Sequence, residues 1–206
     1  MKKDKIIIIA EAGVNHNGKL SLAKKLVSEA AKSGADYIKF QTFETESMVK
    51  PSTRLANYQK SNLKGNLSQF DMLKKYELKK KDYKILIKFA KNKNIKFISS
   101  PFDINSINFL KKLNLDFIKI PSGEINNFPY LRAIGKLKRK VILSTGMSTL
   151  GEISYALKIL RTYGTKKNKI TLLHCHSDYP SRSEDLNLKA IITLQKYFKI
   201  NVGYSD

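Results

Sequence analysis

The chain has 206 residues, 42% hydrophobic and 27% charged, with a formal net charge of +22 and a pI near 9.9. That length supports a sizeable core, and a single cysteine, Cys175, excludes an internal disulfide and suits a reducing cytoplasm. No run approaches the roughly 20 apolar residues of a membrane span, and no aromatic-interleaved basic motif marks a nucleic-acid binder, so neither a membrane nor a nucleic acid is expected as a partner. The lysines fall mainly in helical stretches such as 79–93 and read as solvated faces, with part of the charge left to gather an anionic substrate.

The N-terminal MKKDKIIIIAEAG imitates a signal peptide, but its apolar run ends at Glu11, too early for an h-region. Ile6–Ala10 reads as a strand buried on both faces, closing on the polar loop Glu11 to Gly18. Asn15 and Asn17 are expected to shape that loop, and His16 to contact backbone or substrate rather than metal. Ser21 is a candidate cap for a helix whose Leu22, Leu26, Val27 and Ala30 keep helical spacing, and Gly34 is its stop. Tyr37–Thr42 is a second strand, with Lys39 and Gln41 on one face. A Ser-, Asn- and Lys-rich segment, Phe43 to Asp71, follows and has the length of a functional lid.

Tyr83, Leu86, Ile87 and Ala90 predict a helix, and Lys96–Ser100 a strand closing on SSPFD. Ile107, Leu110 and Leu113 mark a further helix. Phe117–Ile120 is a strand that carries Lys119 and breaks at Pro121-Ser122-Gly123 to present Glu124. Leu131 to Leu137 predicts a short helix, Val141–Leu143 a strand ending in STGM, and Ile153–Leu160 a helix stopped at Gly164. Ile170–Leu173 is a strand ending in HCHSDYP, Leu188–Leu194 a helix, and Asn201–Tyr204 a last strand before Ser205 and Asp206.

The β-α unit recurs roughly seven times with no linker, which argues a parallel sheet. Nearly every strand carries hydroxyls, amides or charges at its C-terminal end. An open doubly wound sheet draws its ligand site from fewer strands, whereas a barrel gathers all strand ends at one mouth. The expectation is a single-domain TIM-type (β/α)8 barrel over 1–206, stopping after about the seventh strand.

The strand ends offer Glu11, Lys39, Gln41, Ser100, Lys119, Ser122, Glu124, Ser144, His174, Tyr179 and Ser205. Lysines with hydroxyls make an anion site suited to phosphate or carboxylate, and the two glutamates supply proton handling. Dinucleotide and P-loop glycine patterns are absent. His174 and His176 flank Cys175, but strand alternation puts the cysteine on the opposite face, so this trio is not read as a metal site.

The runs IAEAGVNHNG, IKFQTF, FISSPFD, FIKIPSGEINN, LSTGMSTLGEI, LLHCHSDYP and GYSD together resemble the sialic acid synthase family, which includes the N-acetylneuraminate and legionaminate synthases. The resemblance implies a transferase that condenses phosphoenolpyruvate with N-acetylmannosamine or a related N-acylated amino-hexose. Phosphate is released and a nine-carbon 2-keto sugar acid results. By position it implies Lys39, Lys119, Ser122 and Ser144 at the phosphate and carboxylate, with Ser100 and Ser205 beside them. Glu11, Gln41 and Tyr179 would face the sugar, and Glu124 the reacting carbons. Glu124, Glu11 and Lys119 are the expected catalytic residues.

The resemblance also implies a divalent metal (manganese or magnesium), a homodimer and a C-terminal antifreeze-like domain. The family's metal histidines fall beyond Asp206, so no metal ligand is assigned in this chain. A Schiff-base lysine aldolase is the alternative chemistry, and an inactive anion-binding barrel fragment that needs a complementary chain is the non-enzymatic one.

Overall fold

The computed structural model describes residues 6–53, 68–176 and 181–206. It divides into two compact units, Met1–Ser106 and Ile107–Asp206.

The first unit holds β1 (Ile9–Gly13), α1 (Leu20–Lys32), β2 (Tyr37–Thr42), α2 (Thr45–Met48), α3 (Gln69–Tyr76), α4 (Lys80–Asn92) and β3 (Lys96–Pro101). β1, β2 and β3 pair in parallel, with Ile9 opposite Tyr37 and Tyr37 opposite Lys96. The helices α1 and α4 bury one stripe each, Ala23, Val27 and Ala30 on the first and Tyr83, Leu86 and Ala90 on the second. Phe40 stacks on Phe97 at 5.1 Å, and Tyr83 meets Phe97 edge-on at 6.2 Å. Stacked and edge-on ring pairs of this kind are favoured aromatic geometries.

Three expectations shift here. β1 begins at Ile9, because Ile6, Ile7 and Ile8 are exposed, while the Ile8 carbonyl already accepts from Asp36 and Tyr37. Glu11 therefore lies inside the strand rather than in the loop. Lys19, not Ser21, occupies the N-cap of α1, and it offers no side-chain cap. The long segment contains α2 and the start of α3, which opens on a capping box between Ser68 and Asp71. Its centre, 54–67, lies outside the described residues.

The second unit holds β4 (Phe117–Ile120), α6 (Phe128–Lys136), β5 (Lys140–Ser144), α7 (Leu150–Thr162), β6 (Ile170–Cys175), α8 (Ala190–Phe198) and β7 (Asn201–Ser205). The division between the units falls inside α5 (Ile104–Lys111). Strands β4 to β7 pair in parallel, neighbour to neighbour. Asn127 caps α6 through Tyr130 N–H, and a Thr149–Glu152 capping box opens α7. α6 lies tightly on α7 because Gly135 has no side chain. A Cβ there would sit 2.8 Å from Tyr163 Cβ and 3.0 Å from the Leu160 carbonyl. The guanidinium of Arg139 closes the end of α5, donating to the carbonyls of Leu113 at 2.7 Å and Lys111 at 2.8 Å. A cation at that end also suits the helix dipole.

Among the described residues, seven parallel strands alternating with helices are the repeats of a TIM-type (β/α)8 barrel through its seventh strand, as the sequence predicts. Among the described residues no helix is long and apolar enough to cross a membrane.

Candidate active site

In a parallel ladder, residues in register point to the same side of the sheet. In the first unit Glu11 pairs with Lys39, Lys39 with Ile98, and Gln41 with Ser100. Glu11, Lys39, Gln41 and Ser100 therefore share one face, as alternation predicts for Lys39 and Gln41. The other face carries Phe40, Thr42 and Ser99 toward the buried side.

Lys39 forms an ion pair with Glu11, the lysine side chain 12% exposed and the glutamate 51%. From sequence the two are separate groups, one for the anion and one for the sugar. Register makes them neighbours, so an incoming anion meets a lysine already shared with a carboxylate. Ser100 is 1% exposed, and its hydroxyl has no hydrogen-bond partner among the described residues.

The β1–α1 loop is built on His16. The imidazole is 1% exposed and stacks on Phe40 at 5.7 Å. Its Nδ1 accepts from Gly18 N–H at 3.0 Å, which fixes the Nε2–H tautomer. Desolvation pushes its pKa down to about 4, against a smaller raising effect from the Gly13 backbone. The expectation of a backbone-contacting histidine holds, and Asn17 takes a left-handed turn (φ 49°) beside it.

Sequence reasoning missed Asp103. Its Oδ2 accepts from Glu44 N–H at 2.8 Å and from the Ser106 hydroxyl at 2.7 Å, and its Oδ1 accepts from Ser106 N–H at 2.6 Å. One buried carboxylate thus ties the end of β2 to the end of β3. The Asp-x-x-Ser spacing ahead of a helix was the available signal. Glu44 in turn pairs with Lys80 and accepts from Asn105 at 2.7 Å. The hydrogen bond from Lys80, then that from Asn105, lowers its carboxyl pKa.

In the second unit Lys119 pairs with Ile142, Ser144 with Leu173, Leu173 with Gly203, and Cys175 with Ser205. Lys119, Ser144, Cys175 and Ser205 therefore share one face. Lys119 is buried at 9% exposure, and Ser144 at 2% has a hydroxyl with no hydrogen-bond partner among the described residues. Ser122 and Glu124 sit on a 3-10 turn just past β4. The Ser122 oxygen accepts from Gly146 N–H at 2.9 Å, so this serine shapes the loop after β5 as well as ending β4. Glu124 accepts from Asn127 Nδ2 at 2.7 Å, the same asparagine that caps α6.

His174 faces away from this set. It pairs with Tyr204, lies 6.0 Å from that ring, and has Nε2 2.7 Å from the Leu186 carbonyl. Cys175 lies on the opposite side, as the sequence predicts. It also joins the face of Lys119 and Ser144, a position to which the sequence pattern assigns no role. Tyr179 lies outside the described residues.

The divalent metal implied by the resemblance does not fit what is present. Among the described residues no group of three or more histidine, cysteine, aspartate or glutamate side chains is placed to hold a metal ion. His174, the histidine at the end of β6, turns to a carbonyl on the other side of its strand.

A sequence profile of the NeuB family matches residues 26–206. The N,N'-diacetyllegionaminic acid synthase of Campylobacter jejuni is 52% identical over 98% of this chain and 60% of its own length. The enzyme of the same name from Legionella pneumophila is 46% identical over 97% of this chain and 56% of its own. The crystal structure of the N-acetylneuraminic acid synthetase of Leptospira borgpetersenii in complex with citrate superposes with a TM-score of 0.84. It is 36% identical and covers 98% of this chain and 65% of that one. The chain thus spans about 60% of the length of the relatives it matches.

Proposed function

Because the chain belongs to the NeuB family, we propose that its strand-end groups serve a carbon–carbon bond-forming condensation between phosphoenolpyruvate and an N-acylated amino-hexose. The relatives' product is a diacetamido sugar acid by name, which favours a diacetamido hexose over N-acetylmannosamine. In the reaction C3 of phosphoenolpyruvate bonds to the sugar's aldehyde carbon, and the aldehyde oxygen takes a proton. Water adds at C2, the C2–O bond to phosphorus breaks, and inorganic phosphate leaves as the 2-keto acid forms.

Lys39, Lys119, Ser122 and Ser144 take the phosphate and carboxylate, with Ser100 and Ser205 beside them. Glu11, Gln41 and Tyr179 face the sugar. Glu124 manages the water or the proton, as a carboxylate at a strand end is suited to do. Cations beside a departing phosphate stabilise the charge that develops on it. No metal-ligand set is found among the described residues, so no step is routed through a metal here. Cytoplasmic location and a homodimer belong to the same proposal.

The observation that carries this reading is the pair of buried, unpartnered hydroxyls, Ser100 and Ser144. Each lies on the lysine-bearing face of the strands in its own unit. Buried polar groups are almost always bonded, so two orphans on those faces favour a ligand with several oxygens. The aldolase alternative gains no support at Lys39, whose ammonium is engaged by Glu11 rather than available as a free amine.

The test is phosphate release from phosphoenolpyruvate with each amino-hexose and manganese, run beside calorimetric titration of phosphoenolpyruvate alone. Release, or binding that Lys119→Ala and Ser144→Ala weaken, is expected. The absence of both release and binding at millimolar ligand would overturn the proposal.

A further inference from the structure

The second unit carries a cleft of about 540 Å³ between the C-terminal halves of α7 and α8. That volume lies in the range of small-molecule sites, roughly 300–1,000 Å³. It opens at the N-terminal end of the strands, bordered by Ile200 just before β7 and Lys167 just before β6. Ser144, Cys175 and Ser205 end their strands at the opposite side, so this cleft is separate from the strand-end groups assigned above.

Its walls divide by chemistry. Leu157, Phe198 and Ile200 are buried and form an apolar floor. Lys158 and Arg161 on α7 and Lys167 on the turn before β6 bring three cations to the rim, and among the described residues no carboxylate lines the cleft. None of the three makes a side-chain ion pair or hydrogen bond with another described residue. Elsewhere in this unit a surface cation such as Arg182 is matched by neighbouring Glu184 and Asp185. Tyr197 completes the rim. Its ring is 61% exposed and is held edge-on against Phe198 at 4.8 Å.

An apolar floor, an exposed flat ring and unneutralised cations within one cleft match a ligand with an aromatic body and a phosphorylated tail. The guanidinium binds phosphate oxygens in pairs, the ammonium groups add point charge, and the tyrosine ring offers a stacking face. We propose that this cleft binds a nucleoside phosphate, with Arg161, Lys158 and Lys167 on the phosphates and Tyr197 on the base.

The test is calorimetric titration of the full chain with ATP, tripolyphosphate and adenosine at about 0.1 M salt, where surface charge is already screened beyond about 10 Å. ATP is expected to bind more tightly than tripolyphosphate, and adenosine more weakly than either. Arg161→Glu weakens ATP about tenfold or more, the loss of a charge-assisted contact. Tyr197→Ala weakens ATP but leaves tripolyphosphate unchanged. Arg161→Gln, checked by circular dichroism, repeats the loss without charge reversal. Phosphoenolpyruvate does not compete.

Lys136→Glu, on α6 and outside the cleft, leaves ATP binding unchanged. Equal weakening by Lys136→Glu, equal affinity for ATP and tripolyphosphate, no binding at millimolar ATP, or tighter binding of a single-stranded oligonucleotide that Arg161→Glu does not weaken would overturn the proposal. These outcomes are independent of whether phosphate is released from phosphoenolpyruvate.

Discussion

His16 makes the stability of the first unit depend on pH in a calculable way. The imidazole is buried and neutral, with its pKa pushed down to about 4, mainly by desolvation. An unfolded histidine titrates near about 6.5. Between these values the unfolded chain binds the proton and the folded one does not, so unfolding gains free energy as pH falls. The contribution is full above pH 6.5 and is lost on the way down to pH 4. Linkage with these two pKa values gives a loss of about 2 kcal/mol between pH 7 and pH 5, a large part of a margin of roughly 5–15 kcal/mol.

The assay is urea unfolding of the wild type and His16→Phe at half-unit steps from pH 7.5 to pH 4.5. Phenylalanine keeps the ring against Phe40 but loses the acceptor for Gly18 N–H, so it starts about 1 kcal/mol less stable. All other titrating groups are common to both proteins and cancel in the difference. The wild type should lose its advantage as pH drops and become the less stable of the two near pH 5. Two stability curves that stay parallel across that window would refute the buried neutral imidazole.

Three further outcomes follow from the geometry. Gly18→Ala should fail to fold or lose several kcal/mol, read by thermal melting. Its φ is +70°, and an added Cβ would lie 2.3 Å from the Lys75 carbonyl, a backbone atom that cannot step aside. Thr149→Ala should cost about 1 kcal/mol in urea unfolding by opening the capping box of α7, while Thr149→Ser restores most of it. Ser100→Ala and Ser144→Ala should leave stability unchanged or raise it by about 1 kcal/mol, because each removes a buried hydroxyl that has no partner. Ser99→Ala should instead lower it by about 1–2 kcal/mol, since Thr42 then loses its acceptor.

How far the sequence could be read depended on which interactions decide each element. β2 and β4 match their expected bounds; each opens after an aspartate, Asp36 or Asp116, and Pro121 ends β4. β1 slipped by three residues because four consecutive isoleucines carry no period, and only the hydrogen bonds from the Asp36 turn decide where the ladder starts. The helices α2 and α3 went unread within a Ser- and Lys-rich stretch. A four-residue and an eight-residue helix are too short to print a stripe, though Ser68 and Asp71 spelled the cap.

At the site, the residue types and their shared faces were legible, since alternation sets them. The Glu11–Lys39 pair was not. It depends on the register between two strands joined by a whole helix, which no local pattern encodes. Nor was the Ser122 contact to Gly146, which crosses from the end of one strand to the loop after the next.

Ser99 and Ser100 separate the demands of folding from those of binding within one strand. They are adjacent, of one residue type and equally buried. Ser99 points to the side where helices pack, and it both donates to the Phe40 carbonyl at 3.0 Å and meets the Thr42 hydroxyl at 2.6 Å. Ser100 points to the face of Lys39 and Gln41 and its hydroxyl makes no bond among the described residues. An unmet buried hydroxyl costs roughly 1–3 kcal/mol, so a strand selected for stability alone would carry alanine or valine at position 100. The same cost recurs at Ser144, on the face that bears Lys119. Of the three buried, unbonded side-chain atoms among the described residues, His16 Nε2 lies in the β1–α1 loop and the other two lie on lysine-bearing faces, where the proposed ligand's oxygens would supply the partners that Ser100 and Ser144 lack.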